Sequence, residues 1–127
     1  MLKGVQNMLK FGAAIAFSLG LMASAFAQAK QDFKLINKTG YEISEVYVSA
    51  SKENNWGDDI MSDDTLEDGQ TLNVSFNNAG KTCLFDIKVV YEEDDSEAIW
   101  HDINLCKTEK VTIFYDRKKD ETTANFD

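Results

Sequence analysis

The sequence predicts an all-β fold, an Ig-like antiparallel β-sandwich of about seven strands with one disulfide. Apolar and polar residues alternate in several short runs, which is the pattern of half-buried strands. No long stretch combines helical periodicity with helix caps. The chain also holds two cysteines, and its first residues have the composition of an export signal.

The N-terminal segment is predicted to be a secretory signal peptide of residues 1–27. Lys3 and Lys10 give it a positive start, an apolar run covers residues 11–22, and it ends in Ala25-Phe26-Ala27. That run is shorter than the roughly 20 apolar residues of a membrane span, so an uncleaved N-terminal anchor is the less favoured alternative. We therefore expect a mature domain of residues 28–127, periplasmic or secreted, with no stable membrane insertion.

The charge of the chain restricts its partners. The formal net charge is −9, and the predicted signal peptide contains lysines and no acid, so the mature domain is more acidic still. Binding to nucleic acid or to an anionic membrane needs clustered Lys and Arg, and this balance argues against both. It suits a soluble exported domain, a basic partner or a cation.

The β-pattern divides the mature domain into short segments. Six segments are predicted to be strands: Asp32–Asn37, Tyr41–Ala50, Leu72–Phe76, Cys83–Tyr91, Ile99–Leu105 and Val111–Tyr115. Thr39-Gly40 is the turn between the first two. A seventh strand forms if part of 60–66 pairs. Residues 117–127 are polar and aperiodic, and we expect a frayed tail there.

Cys83 and Cys106 are predicted to form the disulfide, because an even cysteine count in an exported chain indicates a bridge. With His101 they are too few for a metal site. A hairpin closed symmetrically over 92–97 places the two cysteines opposite each other, but it turns the apolar faces of its strands to opposite sides. Either a β-bulge lies in one strand, or the strands belong to different sheets and the disulfide spans the sandwich.

Several short elements of the sequence resemble a family of small exported bacterial β-sandwich proteins, most of them uncharacterised. The elements are Asn37-x-Thr39-Gly40, Val46-Tyr47-Val48-Ser49, Trp56-Gly57-x-Asp59 and Cys83-x-x-Asp86-Ile87, and the similarity runs from Phe33 to Cys106. The resemblance implies a β-sandwich and export. It implies no established activity and no catalytic residue.

The acidic loop after the second strand is the candidate ligand or cation site, and its candidate residues are Trp56, Asp58, Asp59, Asp63 and Asp64. Calcium takes six to eight oxygen ligands, on the order of what such a loop offers, but the EF-hand spacing is absent. A solvated acidic surface is therefore the simpler interpretation. We expect Asp59 to accept hydrogen bonds from loop N–H groups, and Trp56 to anchor the loop on the sandwich rather than to serve as an exposed ligand platform.

The favoured function is a non-enzymatic binding or interaction module for an unknown protein or small ligand, with no cofactor and no catalytic or metal residues assigned. The second hypothesis is a calcium-dependent module that uses residues 56–68. The third and weakest is a small hydrolase. His101 and Asp102 are consecutive strand residues whose side chains point to opposite faces, so they cannot form an oriented base pair, and no nucleophile motif is present.

Overall fold

The alternating segments form strands, as a computed structural model of residues 2–4 and 29–127 shows. Within these residues there are eight strands: β1 (Leu2–Gly4), β2 (Phe33–Lys38), β3 (Ile43–Ala50), β4 (Thr71–Phe76), β5 (Leu84–Tyr91), β6 (Glu97–Asn104), β7 (Lys110–Asp116) and β8 (Glu121–Phe126). Strands β2 to β7 correspond to the six predicted segments.

The strands form two sheets packed as a sandwich, which confirms the predicted fold class. One sheet has the order β1-β4-β2-β7-β8 and the other the order β3-β5-β6. All neighbours are antiparallel except β2 and β7, which run parallel. A parallel pair needs a long connection between its strands, and here β3 to β6 lie between β2 and β7 in the chain.

The core lies between the inward faces of the sheets. Leu35 and Ile113 of one sheet and Val46 and Ile87 of the other have no exposed surface. They belong to one continuous cluster of buried apolar side chains. Each is one residue of an alternating pattern, so the period-2 signal in the sequence determines which face of each strand enters the core.

A β-bulge resolves the conflict between the two faces of the β5–β6 hairpin. Phe85 pairs with Ile103 but Ile87 pairs with Trp100, so two residues of β6 oppose Asp86. Asp102, within the bulge, has a φ of 55°. The extra residue shifts the side-chain alternation of β6, so both Trp100 and Ile103 pack against the core. The alternative in which the strands lie in different sheets is therefore wrong.

The predicted disulfide is present and closes the open end of this hairpin. Cys83 and Cys106 are bridged, with 5.1 Å between their Cα atoms. Next to the bridge, the Leu105 N–H donates to the Cys83 carbonyl at 2.8 Å. The disulfide thus lies within one sheet and ties the start of β5 to the chain that follows β6.

The expected frayed tail at 117–127 is wrong, because most of it forms β8. This strand pairs with β7 from Asp116↔Glu121 to Val111↔Phe126, and the Phe126 ring lies edge-on to Trp100 at 6.5 Å. As an edge strand it is exposed along most of its length, so it lacks the apolar alternation that marks half-buried strands. The possible seventh strand within 60–66 is reduced to a single bridge between Ile43 and Leu66.

The predicted signal peptide is described only at Leu2–Gly4, which pair with β4 in the register Leu2↔Phe76 to Gly4↔Val74. The predicted cleavage position after Ala27 lies outside the described residues. No helix in residues 2–4 and 29–127 is long and apolar enough to span a membrane.

Candidate functional site

Asp59 fastens the acidic loop (residues 51–64) to the outer edge of β3. Its Oδ1 accepts hydrogen bonds from the N–H groups of Val46 and Met61, each at 3.0 Å. Beside it, the Ile60 N–H donates to the Val46 carbonyl at 2.9 Å. The expectation that Asp59 accepts hydrogen bonds from loop N–H groups is confirmed, and the carboxylate extends its reach to the strand itself.

Trp56 lies half-buried against the outer face of the three-stranded sheet. Its ring packs edge-on to Tyr47 at 6.5 Å, and the Lys88 Nζ lies 5.2 Å from its centroid. The same Nζ is 4.6 Å from the Tyr47 ring and 3.9 Å from a Glu97 carboxylate oxygen. A hydrogen bond to Glu45 favours the neutral phenol and raises the pKa of Tyr47 to about 12. Trp56 is thus the anchor expected, with part of its surface left exposed.

That exposed part faces a groove of about 710 Å³ between the acidic loop and the β4–β5 loop (residues 77–83). We call it the β3 groove, and the lining residues that matter most are Val48, Ala50, Trp56, Asp58, Phe76 and Phe85. Phe76 and Phe85 pack edge-on at 5.0 Å and form its apolar floor. The groove exists because the two sheets end in different strands at this side, β3 on one and, within residues 29–127, β4 on the other.

The wall formed by the β4–β5 loop is held from inside the protein. Gln31 is 2% exposed, and its amide nitrogen donates to the Gly80 and Thr82 carbonyls at 3.0 and 2.9 Å. The disulfide begins at the next residue, Cys83. Because both walls of the groove are fixed by hydrogen bonds or by the covalent bridge, its shape is set before any ligand arrives.

The candidate residues do not all gather at one place. Trp56, Asp58 and Asp59 line the β3 groove, whereas Asp63 and Asp64 do not. Across the described residues, no group of three or more Asp, Glu, His or Cys is placed to hold a metal ion. The acidic loop is therefore divided between a groove wall and an exposed turn.

Removal of the Asp59 carboxylate tests its structural role. We expect Asp59→Ala to lower the free energy of unfolding by about 2 kcal/mol, because two N–H groups lose a charged acceptor. Asp59→Asn keeps an oxygen at the same place and should cost less.

Thermal melts in millimolar calcium and in millimolar magnesium should give the same melting temperature for the wild type. A rise of several degrees with calcium alone, lost in Asp59→Ala, would favour the calcium-dependent module instead.

Asp86 carries a second polar cluster, on the outer face of the β5–β6 hairpin at the bulge. Its Oδ1 accepts hydrogen bonds from the Ser51 hydroxyl at 2.7 Å and the Asp102 N–H at 2.9 Å. Its Oδ2 lies 3.0 Å from His101 Nδ1. Asp86 therefore sits between Ser51 and His101, whereas hydrolytic triads place the histidine between serine and carboxylate so that it can take the serine proton. This geometry suits bracing of the bulge.

The sequence did not identify Asp86 as the partner of His101, because it does not determine the register of the β5–β6 hairpin. Symmetric closure of the hairpin places Asp86 opposite Ile103, but the bulge brings it opposite His101 and Asp102. The only signal for its role was its place in the Cys83-x-x-Asp86-Ile87 element. His101 reaches Asp86 through its Nδ1, whereas Asp102 reaches it through its backbone N–H.

Acid titration tests the hydrogen bonds to Asp86. Desolvation opposes its ionisation, but the hydrogen bonds from Ser51, Asp102 and His101 outweigh that cost and lower its pKa. A lowered pKa in the folded state adds stability above the unfolded value of about 4, and this stability is lost as the pH falls through the folded value. We therefore expect Asp86→Asn to lower the melting temperature at pH 7 but progressively less below pH 4. Asp63→Asn, in an exposed turn, is the control and should leave the melting temperature at pH 7 close to that of the wild type.

A smaller depression of about 150 Å³ lies beside the turn between β5 and β6, and three tyrosines line it. Tyr41 packs edge-on to both Tyr91 and Tyr115, at 6.3 and 5.5 Å. A hydrogen bond to Asp120 raises the pKa of Tyr115 to about 12. This cluster closes the end of the sandwich and leaves less room for a ligand than the β3 groove does.

The fold, the disulfide and the groove define the class of this protein as a single-disulfide, Ig-like β-sandwich. Comparison with known proteins finds no matching family model, no matching curated protein and no matching solved structure.

Proposed function

We propose that this protein is an exported, non-enzymatic binding module that takes its ligand in the β3 groove. The observation that carries the proposal is the groove itself, which combines an apolar floor, an exposed part of Trp56 and walls fixed by Asp59 and Gln31. Ligand sites are typically concave and largely preformed, with a mainly apolar lining and a few polar groups.

Export is supported by the N-terminal segment and by the disulfide. Lys3 and Lys10, the apolar run over 11–22 and the Ala25-Phe26-Ala27 end have the layout of a signal peptide. The Cys83–Cys106 bridge persists in an oxidising compartment. The resemblance to small exported bacterial β-sandwich proteins favours the same location, in the periplasm or beyond.

Signal cleavage can be checked by mass. We expect the protein recovered from the exported fraction to begin at Gln28, because Ala25-Phe26-Ala27 offers the small residues that the cleavage site needs. Intact-mass measurement distinguishes this form from the full chain. A species that starts at Met1 and stays with membranes would contradict the export half of the proposal.

The absence of catalysis is supported by the order of the Ser51–Asp86–His101 cluster. Ser51 donates to the Asp86 carboxylate, whose pKa is lowered, so its hydroxyl is held by a weak base rather than by a histidine that could remove its proton. A ligand panel of peptides and oligosaccharides, followed by mass analysis, would reveal products if the protein were a hydrolase. Recovery of every ligand unchanged is the expected result.

Blocking the groove tests the site. Ala79 lines the groove, and Ala79→Trp should fill part of it and weaken any ligand found with the panel by at least about tenfold. Thr123→Trp adds the same side chain to exposed strand β8 and should leave affinity unchanged. Equal binding by both variants, with unchanged melting temperatures, would place the ligand elsewhere and overturn the proposal.

A further inference from the structure

Strand β3 lies at the edge of its sheet, so half of its backbone groups face away from β5. The Ser51 N–H donates to the Leu84 carbonyl at 3.0 Å, and this bond continues the β3–β5 register. In an antiparallel ladder the bonded residues alternate. The N–H and C=O groups of Val46, Val48 and Ala50 therefore point outward.

Only part of this outward edge is occupied. Val46 is paired through both groups with the acidic loop, and the Ala50 carbonyl accepts the Glu53 N–H at 2.9 Å. The N–H and C=O of Val48 and the N–H of Ala50 have no hydrogen-bond partner among the described residues. Both residues line the β3 groove. Unpaired groups on a strand edge are a template for a further strand.

The surroundings of this edge restrict the side chains that an added strand can carry. Successive side chains of a strand point to opposite faces. Those pointing inward would meet the apolar floor of Phe76 and Phe85, which favours an apolar residue. The next side chain would point outward, toward the face on which Trp56 lies, and Trp56 already has Lys88 as a cationic neighbour.

Charge determines the identity of the outward residue. Glu53, Asp58 and Asp59 line the groove, and none of the described residues that line it is Lys or Arg. The whole chain has a net charge of −9. A Lys or Arg on the added strand would meet these carboxylates, whereas an acidic residue there would be repelled.

We infer that the ligand of the β3 groove is an extended peptide segment that pairs with Val48 and Ala50 as an added strand, with an apolar side chain over Phe76 and Phe85 and a neighbouring Lys or Arg. This inference rests on the proposed binding function and names its partner class. Backbone pairing gives affinity in such complexes, and the pockets for alternate side chains give specificity.

Three short peptides test the inference on the mature protein. The first is Gly-Ser-Val-Lys-Val-Ser-Gly, the second has Glu in place of Lys, and the third has the first sequence with N-methylated valines. Tryptophan fluorescence and calorimetry should show binding of the first peptide with a Kd below about 1 mM, weakened by added salt. The second and third should bind at least about tenfold more weakly, because one reverses the charge and the other removes strand donors.

Matched variants locate the contact on the protein. Asp58 lines the groove and Asp63 does not, and both are exposed residues of the acidic loop. Asp58→Lys should weaken the Val-Lys-Val peptide by about tenfold, and Asp63→Lys by less than about twofold. Ala50→Pro removes one outward N–H and should weaken it as well. Melting temperatures of all variants report whether each is folded.

The outcomes separate this inference from the proposed function. Equal binding of the N-methylated peptide, or equal effects of Asp58→Lys and Asp63→Lys, would overturn strand pairing in the groove. If no peptide binds but an oligosaccharide does, and Ala79→Trp weakens that oligosaccharide, the peptide ligand is overturned while the proposed binding function stands. Failure of all ligand classes to bind would overturn both.

Discussion

Asn37→Ala is expected to lower the free energy of unfolding by about 4 kcal/mol. Asn37 has no exposed surface, and its amide nitrogen donates to the Tyr41 and Leu66 carbonyls at 2.8 and 2.9 Å. Its Oδ1 accepts the Thr39 N–H at 3.0 Å and the Thr39 hydroxyl at 2.7 Å. All the hydrogen-bonding capacity of the side chain is therefore used. Truncation leaves two carbonyls and an N–H without these partners in the interior.

The position of Asn37 explains why one amide has so large an effect. It joins the end of β2 to the Thr39-Gly40 turn, where Gly40 has a φ of 87°, and to Leu66, which bridges to Ile43. The backbone N–H of Asn37 also donates to the Gln70 carbonyl at 3.0 Å, a bond that Asn37→Ala retains. The side chain itself therefore joins the β2–β3 turn to the distant Leu66.

Urea unfolding monitored by fluorescence measures this effect. Asn73→Ala is the matched control, because Asn73 is an exposed residue of β4 whose side chain, within residues 29–127, accepts a single hydrogen bond, from Lys34. It should cost less than about 0.5 kcal/mol. Asn37→Asp should destabilise the fold even more than Asn37→Ala, since it removes both donors and buries a charge. A loss below about 1 kcal/mol for Asn37→Ala would show that the network relaxes or that water replaces it.

The second large effect is expected on removal of the disulfide. The bridge links residues separated by 23 positions. By loop-closure entropy, a ring of this size stabilises the folded state by about 3 kcal/mol. We expect the double substitution Cys83→Ser and Cys106→Ser to lower the free energy of unfolding by that amount. This is a large share of the total free energy of unfolding of a domain of this size. The bridge also adjoins the groove wall, so peptide affinity should fall with it.

Reductant provides the internal control for this experiment. Wild-type protein in a strong thiol reductant should approach the stability of the double variant, while the double variant should not respond. Thiol labelling of the denatured, unreduced wild type should find no free cysteine. Labelling of two thiols in exported protein, or a double variant as stable as the wild type, would contradict the prediction.

Periodic residues explain which parts of the fold the sequence could predict. Leu72, Val74 and Phe76 alternate with polar residues, and they form β4 where expected. The clash of faces between β5 and β6 indicated a bulge as one of two solutions. Strand β8 was not predicted, because Glu121–Phe126 forms an exposed edge strand. Its stability comes from pairing with β7 rather than from an apolar face.

The site was only half predictable, for a physical reason. Trp56, Asp58 and Asp59 are clustered in sequence, so a candidate loop could be identified from them. The floor of the groove comes from Phe76 and Phe85, and its strand edge comes from the backbone of Val48. These groups meet only through tertiary packing, and backbone N–H and C=O groups leave no trace in residue identity. The same holds for Asp86 and His101, which meet only in the bulged register.

The parallel pairing of β2 with β7 has a consequence for how the chain reaches its native state. Lys34–Lys38 align with Lys110–Phe114, so the middle of the five-stranded sheet joins early and late parts of the polypeptide. The hairpins β5–β6 and β7–β8 need only nearby residues, but β2 gains its second neighbour after nearly the whole chain is available. Closure of such distant contacts slows folding, typically to the millisecond-to-second range for β-sandwiches. Truncation before Lys110 should therefore yield a chain that forms its disulfide hairpin yet never melts cooperatively.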